Sequence, residues 1–168
     1  IKAELAFANF EDMVSIVEWF IHDVSEQCTR EGHELASIIG TTICGDGIKT
    51  PFPRINYDEA VEWLKTQGSD IGFGKSLSSN EETLLSQRFG ETPFWVVGIP
   101  RAIEPFPYVI DEADIRRTKT ADLIASRGFG ELLGIAEKIS TLSMLDERLT
   151  EKGKDGDARY EWLRELRQ

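Results

Sequence analysis

Gly128-Phe129-Gly130-Glu131-Leu132-Leu133-Gly134-Ile135-Ala136-Glu137-Lys138-Ile139 is the stretch whose reading decides the fold. From it, Leu132, Ile135, Ile139, Leu142, Leu145 and Leu149 recur at three- and four-residue intervals, and periodicity alone places them on one long helix. The glycines oppose that reading. Gly128 and Gly130 before the run and Gly134 inside it suit a strand or a bulge, because a residue without a side chain weakens regular structure and marks a bend or a close backbone approach.

Upstream, the signals agree better with one another. Met13, Val14, Ile16, Val17, Phe20, Ile21 and Val24 trace an amphipathic helix over Phe10–Arg30, with Glu11 and Asp12 in the first turn, where negative charge favours the helix dipole. Lys2–Phe7 alternates weakly and is expected to be a strand leading into that helix. Glycines and prolines make Gly40–Arg54 a connection. Asn56-Tyr57-Asp58-Glu59 opens a second helix that ends at Gln67-Gly68, and Ser79–Arg88 forms a third, capped by Asn80. Pro93–Val97, apolar and bounded by Gly90 and Gly98-Ile99-Pro100, reads as a buried strand, with a companion at Phe106–Ile110.

The 168 residues suffice for a single domain, 1–168, and 40% hydrophobic with 29% charged residues is a globular composition. A net charge of −11 argues against broad neutralisation of nucleic-acid phosphates by this chain. No apolar run approaches the ~20 residues that cross a bilayer, so no membrane partner is expected. Cys28, Cys44, His22 and His33 lack any structural zinc spacing and fit a reducing, cytoplasmic setting. A start at Ile1-Lys2-Ala3-Glu4, without Met, and an end at Arg167-Gln168 are expected of a stretch from a longer chain.

Several segments, in shared order, resemble the catalytic domain of the asparaginyl-tRNA synthetase family and its aspartyl and archaeal-type asparagine synthetase relatives. They are Glu4-Leu5-Ala6-Phe7 with Phe10-Glu11-Asp12-Met13, then Arg54-Ile55-Asn56-Tyr57-Asp58-Glu59-Ala60, then Phe73-Gly74 with Phe89-Gly90. Next come Pro93–Val97 with Pro100–Phe106, Thr120–Ala125, Gly130-Glu131-Leu132-Leu133-Gly134, and Tyr160-Glu161-Trp162. The resemblance implies an α+β fold, an antiparallel sheet flanked by helices, with Gly130 to about Lys138 as a strand lining the active site. It also implies that this stretch is the central part of such a domain, lacking the family's first, second and third signature motifs, and is inactive by itself.

The implied chemistry is adenylation of an amino-acid carboxylate by ATP with Mg2+, followed by transfer to tRNA, in a homodimer. The alternatives are a tRNA-independent amide- or adenylate-forming ligase and a noncatalytic module. By the same resemblance Glu131 is the catalytic, metal- and ATP-facing glutamate, although an isolated acid there would ordinarily be a solvated helix-start residue. The family's Gln-Arg pair stands here as Glu137-Lys138, and Lys138, Glu137 and Arg101 are the candidate substrate contacts for an aspartate- or asparagine-like amino acid. Lysine keeps the charge but loses the two-donor fork of arginine. In a regular strand Glu131 and Lys138 would point to opposite faces, and a bulge near Gly134 is expected to correct the parity, with Glu137 turned away.

Arg116-Arg117-Thr118-Lys119 is the densest basic run, and Arg116, Arg117 and Lys119 are the candidate nucleic-acid contacts beside the simpler reading of a solvated loop. Cys44-Gly45-Asp46-Gly47 has no activating base beside the thiol and is read as inert. His22 is read as a hydrogen-bonded structural residue, and Trp19, Trp63, Trp95 and Trp162 as core or interface.

Overall fold

The computed structural model describes residues 2–41 and 48–167; the Cys44 motif lies outside the described residues. Its frame is a four-stranded sheet in the order β1 (Arg54–Asn56), β2 (Phe94–Val97), β3 (Thr120–Ile124), β4 (Glu131–Ala136). The β2–β3 and β3–β4 pairs are antiparallel, and β1 joins β2 in parallel, a pairing the antiparallel expectation did not include.

Helices cover the two faces unequally. Helix α1 (Phe10–Glu31) begins with a reciprocal capping box, in which Asn9 Oδ1 accepts from Asp12 N–H at 3.0 Å and Asp12 accepts from Asn9 N–H at 2.9 Å. Its inner side, Val14 with Phe10, Val17 and Ile21, packs on Trp95, Ala121, Leu123, Leu133 and Ile135 of the sheet. Glu18 is drawn into that layer because its Oε1 accepts from Phe52 N–H at 3.1 Å and from Trp95 Nε1–H at 2.9 Å. The short α2 (His33–Ile38) follows. On the other face α3 (Tyr57–Thr66) and α4 (Ser79–Phe89) set Ala60, Val61, Leu64 and Leu85 against Ile55, Phe94, Val96 and Ile124. This second layer covers β1, β2 and the end of β3, leaving the middle of β3 and β4 open on that side: Glu131 and Gly134 are exposed.

The decisive stretch is strand, then helix. The strand β4 ends at Ala136, and α5 (Leu142–Glu151) starts after Thr141, whose side chain caps it. Leu145 and Leu149 belong to a third cluster with Val109 and Ile139, onto which α6 (Glu161–Glu165) and Tyr160 fold. The long-helix periodicity was thus produced by two elements in series.

Three expectations are corrected. Lys2–Phe7 lies in no strand, since an extended segment needs a ladder partner and finds none among the described residues, and Ala6-Phe7 is a turn. Phe106–Ile110 makes single bridges, Tyr108 to Lys138 and Ile110 to Thr118, because Pro105 and Pro107 cannot donate to a ladder; β3 is the true companion of β2. Helix α4 is capped by Ser78, not Asn80, with Glu81 closing the box onto Ser78 N–H at 2.7 Å. Of the tryptophans read as core or interface, Trp95 is fully buried, and Trp19 and Trp162 are exposed.

Candidate active site

Register places the candidate residues. Asp122 pairs with Gly134 and Leu123 with Leu133, but Ile124 pairs with Glu131, so Leu132 is the extra residue of a β-bulge. The bulge lies two residues before the expected Gly134, and its effect on parity is the one required: Glu131, Gly134 and Ala136 come to one face, together with Asp122. Beyond Ala136 the chain stays extended. Glu137 N–H donates to Lys119 O at 2.9 Å, and Val109 N–H donates to Glu137 O at 2.9 Å. Glu137 then turns to the α1 side, where its Oε2 accepts from Phe10 N–H at 3.0 Å. Alternation therefore returns Lys138 to the face of Glu131.

The result is an open trough on β3 and β4 with a floor of Gly134 and Ala136. At one end, a methyl group on Gly134 would stand 3.0 Å from Asp122 Oδ1 and 3.6 Å from Glu131 Oε1, so the missing side chain keeps room between two carboxylates. Asp122 is pushed up to about 7 by burial, with the negative charges of Glu131, Glu104 and Glu82 adding to the shift. Burial likewise raises Glu82 and Glu104, the latter opposed by Arg148 and Lys152. At the other end, Lys138 Nζ meets Glu4 Oε1 at 2.8 Å, and Lys2 meets the same oxygen at 3.0 Å. Two ammonium groups on one carboxylate leave a surplus positive charge there, and they hold Glu4 below its ordinary range.

Other candidates lie elsewhere. Arg101 is spent on Glu147 at 2.9 Å and Glu151 at 2.7 Å, both on α5. Arg116 and Arg117 both bond Asp58, and Arg116 reaches Asp114 at 2.6 Å, so the basic run is largely neutralised from within. Lys119 lines a 480 Å³ cavity on the α1 side with Arg54, Arg117 and Glu137. His22 bonds Ile48 O through Nδ1 at 2.7 Å, a structural contact. Asp122 is the residue the sequence reading missed. Its signal was an acid inside the apolar pentapeptide Thr120–Ile124, opposite a glycine.

The chain with this α+β core belongs to the class II synthetases, its sequence matching the family tRNA synthetases class II (D, K and N) over residues 1–168. Within it, the chain is 34% identical over 168 residues to an asparagine–tRNA ligase of Desulforamulus reducens. Its fold matches asparaginyl-tRNA synthetase from Pyrococcus horikoshii complexed with asparaginyl-adenylate at a TM-score of 0.82 and 28% identity, covering 96% of this chain and 37% of that one. An aspartyl-tRNA synthetase from Entamoeba histolytica shares the fold at a TM-score of 0.82 and 24% identity, covering 95% of this chain and 34% of that one. The chain spans about two fifths of the length of the relative it matches, 39% of the Desulforamulus reducens protein. No described helix is long and apolar enough to cross a membrane.

Proposed function

We propose that this chain is the central part of an ATP-dependent ligase that adenylates an asparagine-like amino acid and passes it to tRNA. The observation that carries the reading is the bulge at Leu132, which sets Glu131 and Asp122 at one end of a trough and Lys138 at the other. Kinship with the asparagine–tRNA ligase supports it.

A divalent cation fits the acidic end. Among the described residues no three His, Cys, Asp or Glu side chains are arranged to chelate a metal. Asp122 and Glu131 offer hard oxygens either side of Gly134, and such a half-shell suits Mg2+, which keeps waters and takes its remaining ligands from substrate phosphates. When bound there, Mg2+ would neutralise phosphate charge as pyrophosphate leaves. Glu131 and Asp122 would hold the cation, Gly134 and Ala136 would leave the floor clear for the substrates, and Lys138 with Lys2 would meet the polar end of the amino acid. A homodimer and a cytoplasmic setting belong to the same reading and rest on that kinship.

The test is amino-acid-dependent ATP–pyrophosphate exchange by the intact protein, followed by transfer to tRNA. Exchange stimulated by asparagine and charging of tRNA support the reading. Exchange without charging would assign a tRNA-independent ligase instead, and no exchange with any amino acid would remove the catalytic assignment.

A further inference from the structure

Between β2 and the segment Phe106–Ile110 the chain makes a turn, 100–105, that α5 grips from one side. Arg148, whose side chain is 0% exposed, sets Nη2 at 3.4, 3.3 and 3.2 Å from the carbonyl oxygens of Arg101, Glu104 and Pro105, and its Nη1 bonds Glu151. At the end of the helix, Lys152 Nζ donates to Arg101 O at 3.1 Å and to Ala102 O at 2.7 Å. The grip is reciprocal, because Arg101 of the turn bonds Glu147 and Glu151 of α5. The segment that leaves the turn is anchored in its own right to the chain beyond β4, with Ile139 N–H donating to Pro107 O at 2.8 Å.

Burying a guanidinium is costly, and an apolar side chain of similar volume would fill the same space. It would not fix carbonyls. Here four carbonyls of the turn, at 101, 102, 104 and 105, are held by two cations of one helix, which leaves the turn little freedom to shift. The Glu104 carboxylate that the turn carries is half-buried, yet it has no hydrogen bond or ion pair among the described residues. Burial raises it, Arg148 and Lys152 oppose the rise, and the charge of Glu131 adds to it. Its own charge adds to the shift of Asp122, after burial and Glu131. Glu104 therefore lies within electrostatic reach of both acids at that end of the trough.

We infer that Arg148 and Lys152 are positioning residues of the trough: by holding the turn 100–105 they fix Glu104 near Asp122 and Glu131, where its charge strengthens the hold on a divalent cation. The inference rests on the reading that a cation occupies the acidic end. Glu104 acts from outside the ligands, because Mg2+ retains waters from which a further carboxylate can accept hydrogen bonds. The helix acts only through Glu104. Arg148 and Lys152 are themselves positive, and their charge alone would weaken the binding of a cation, so what they contribute is geometry.

The probe is Mn2+ alone, whose free-ion electron paramagnetic resonance signal is lost on binding, titrated into the intact protein. Glu131→Gln is expected to weaken Mn2+ binding most, and Glu104→Gln about fivefold, the effect of one nearby charge on a divalent ion in a wet site. Arg148→Lys keeps the charge but loses the fork that spans the carbonyls, and should weaken Mn2+ to a similar extent. Combined with Glu104→Gln it should cost nothing further, whereas damage that is merely structural would add to the loss. Arg101→Lys, at the outer end of the same grip, makes the comparison if Arg148→Lys fails to fold. Wild-type protein that binds no Mn2+ would overturn the cation reading and this inference together. Binding that falls with Glu131→Gln but ignores Glu104→Gln, or losses from Glu104→Gln and the arginine variant that add in full, would overturn the inference alone.

Discussion

Glu131 and Lys138 make different demands on the reaction, and substitutions separate them. Glu131→Gln keeps the side chain's size and removes the charge that would face a cation on the phosphates, so its effect falls on the chemical step. In the intact protein kcat for adenylation is expected to drop about a hundredfold, roughly 2.7 kcal/mol, with the amino-acid KM nearly unchanged. Lys138→Met removes a donor at the far end of the trough and should instead raise the amino-acid KM about tenfold with kcat largely retained. Steady-state exchange kinetics on both variants would separate the two roles, and equal effects on KM would remove the division of labour. Glu137, one residue away, is expected to do neither, because its carboxylate is tied to Phe10 N–H on the opposite face. That split between neighbours was readable from strand alternation once a bulge was granted. Asp122 was not, because a single acid in Thr120–Ile124 resembles an interruption until Gly134 is known to lie opposite it.

Among the elements, helix α1 was legible in full, since seven apolar residues at helical spacing and two first-turn acids all point the same way. The strands were less so. Arg54–Asn56 has three residues, too few for alternation to show, whereas Phe94–Val97 was marked by its apolar run between glycines; for β4 the glycines only opposed the helical pattern, and the resemblance decided for a strand. Long-range contacts such as Glu18 to Trp95 leave no local trace, because 77 residues separate the partners. This contact predicts a measurable role. Glu18→Leu would leave Phe52 N–H and Trp95 Nε1–H, both buried, without an acceptor, at about 1–3 kcal/mol each. The variant should unfold at clearly lower temperature and denaturant concentration, with tryptophan fluorescence reporting the loosened Trp95. Wild-type stability would show that water or a neighbour replaces the carboxylate.

At the scale of the whole molecule, the charge balance of −11 conceals two groups of carboxylates with opposite effects on stability. Asp114 and Asp157 are lowered to about 2 by hydrogen bonds from Arg116 and Arg159. Their folded pKa lies below the unfolded value near 3.9, so the stability they contribute is present above about pH 4 and is lost as pH falls through 2. Asp122 runs the other way. Its folded pKa of about 7 lies above the unfolded value, so the native state holds a proton that the unfolded chain has released. Stability should therefore decline as pH rises from about 4 to about 7, with the burial-raised Glu82 and Glu104 contributing the same sign. Asp122→Asn removes the most strongly raised group from the crowd of acids, and in the presence of chelator its melting temperature should show a clearly shallower decline while the acid arm below about pH 4 persists. Parallel pH profiles for wild type and Asp122→Asn would mean that the four carboxylates do not crowd one another in solution, and would take away the electrostatic ground for a cation between Asp122 and Glu131.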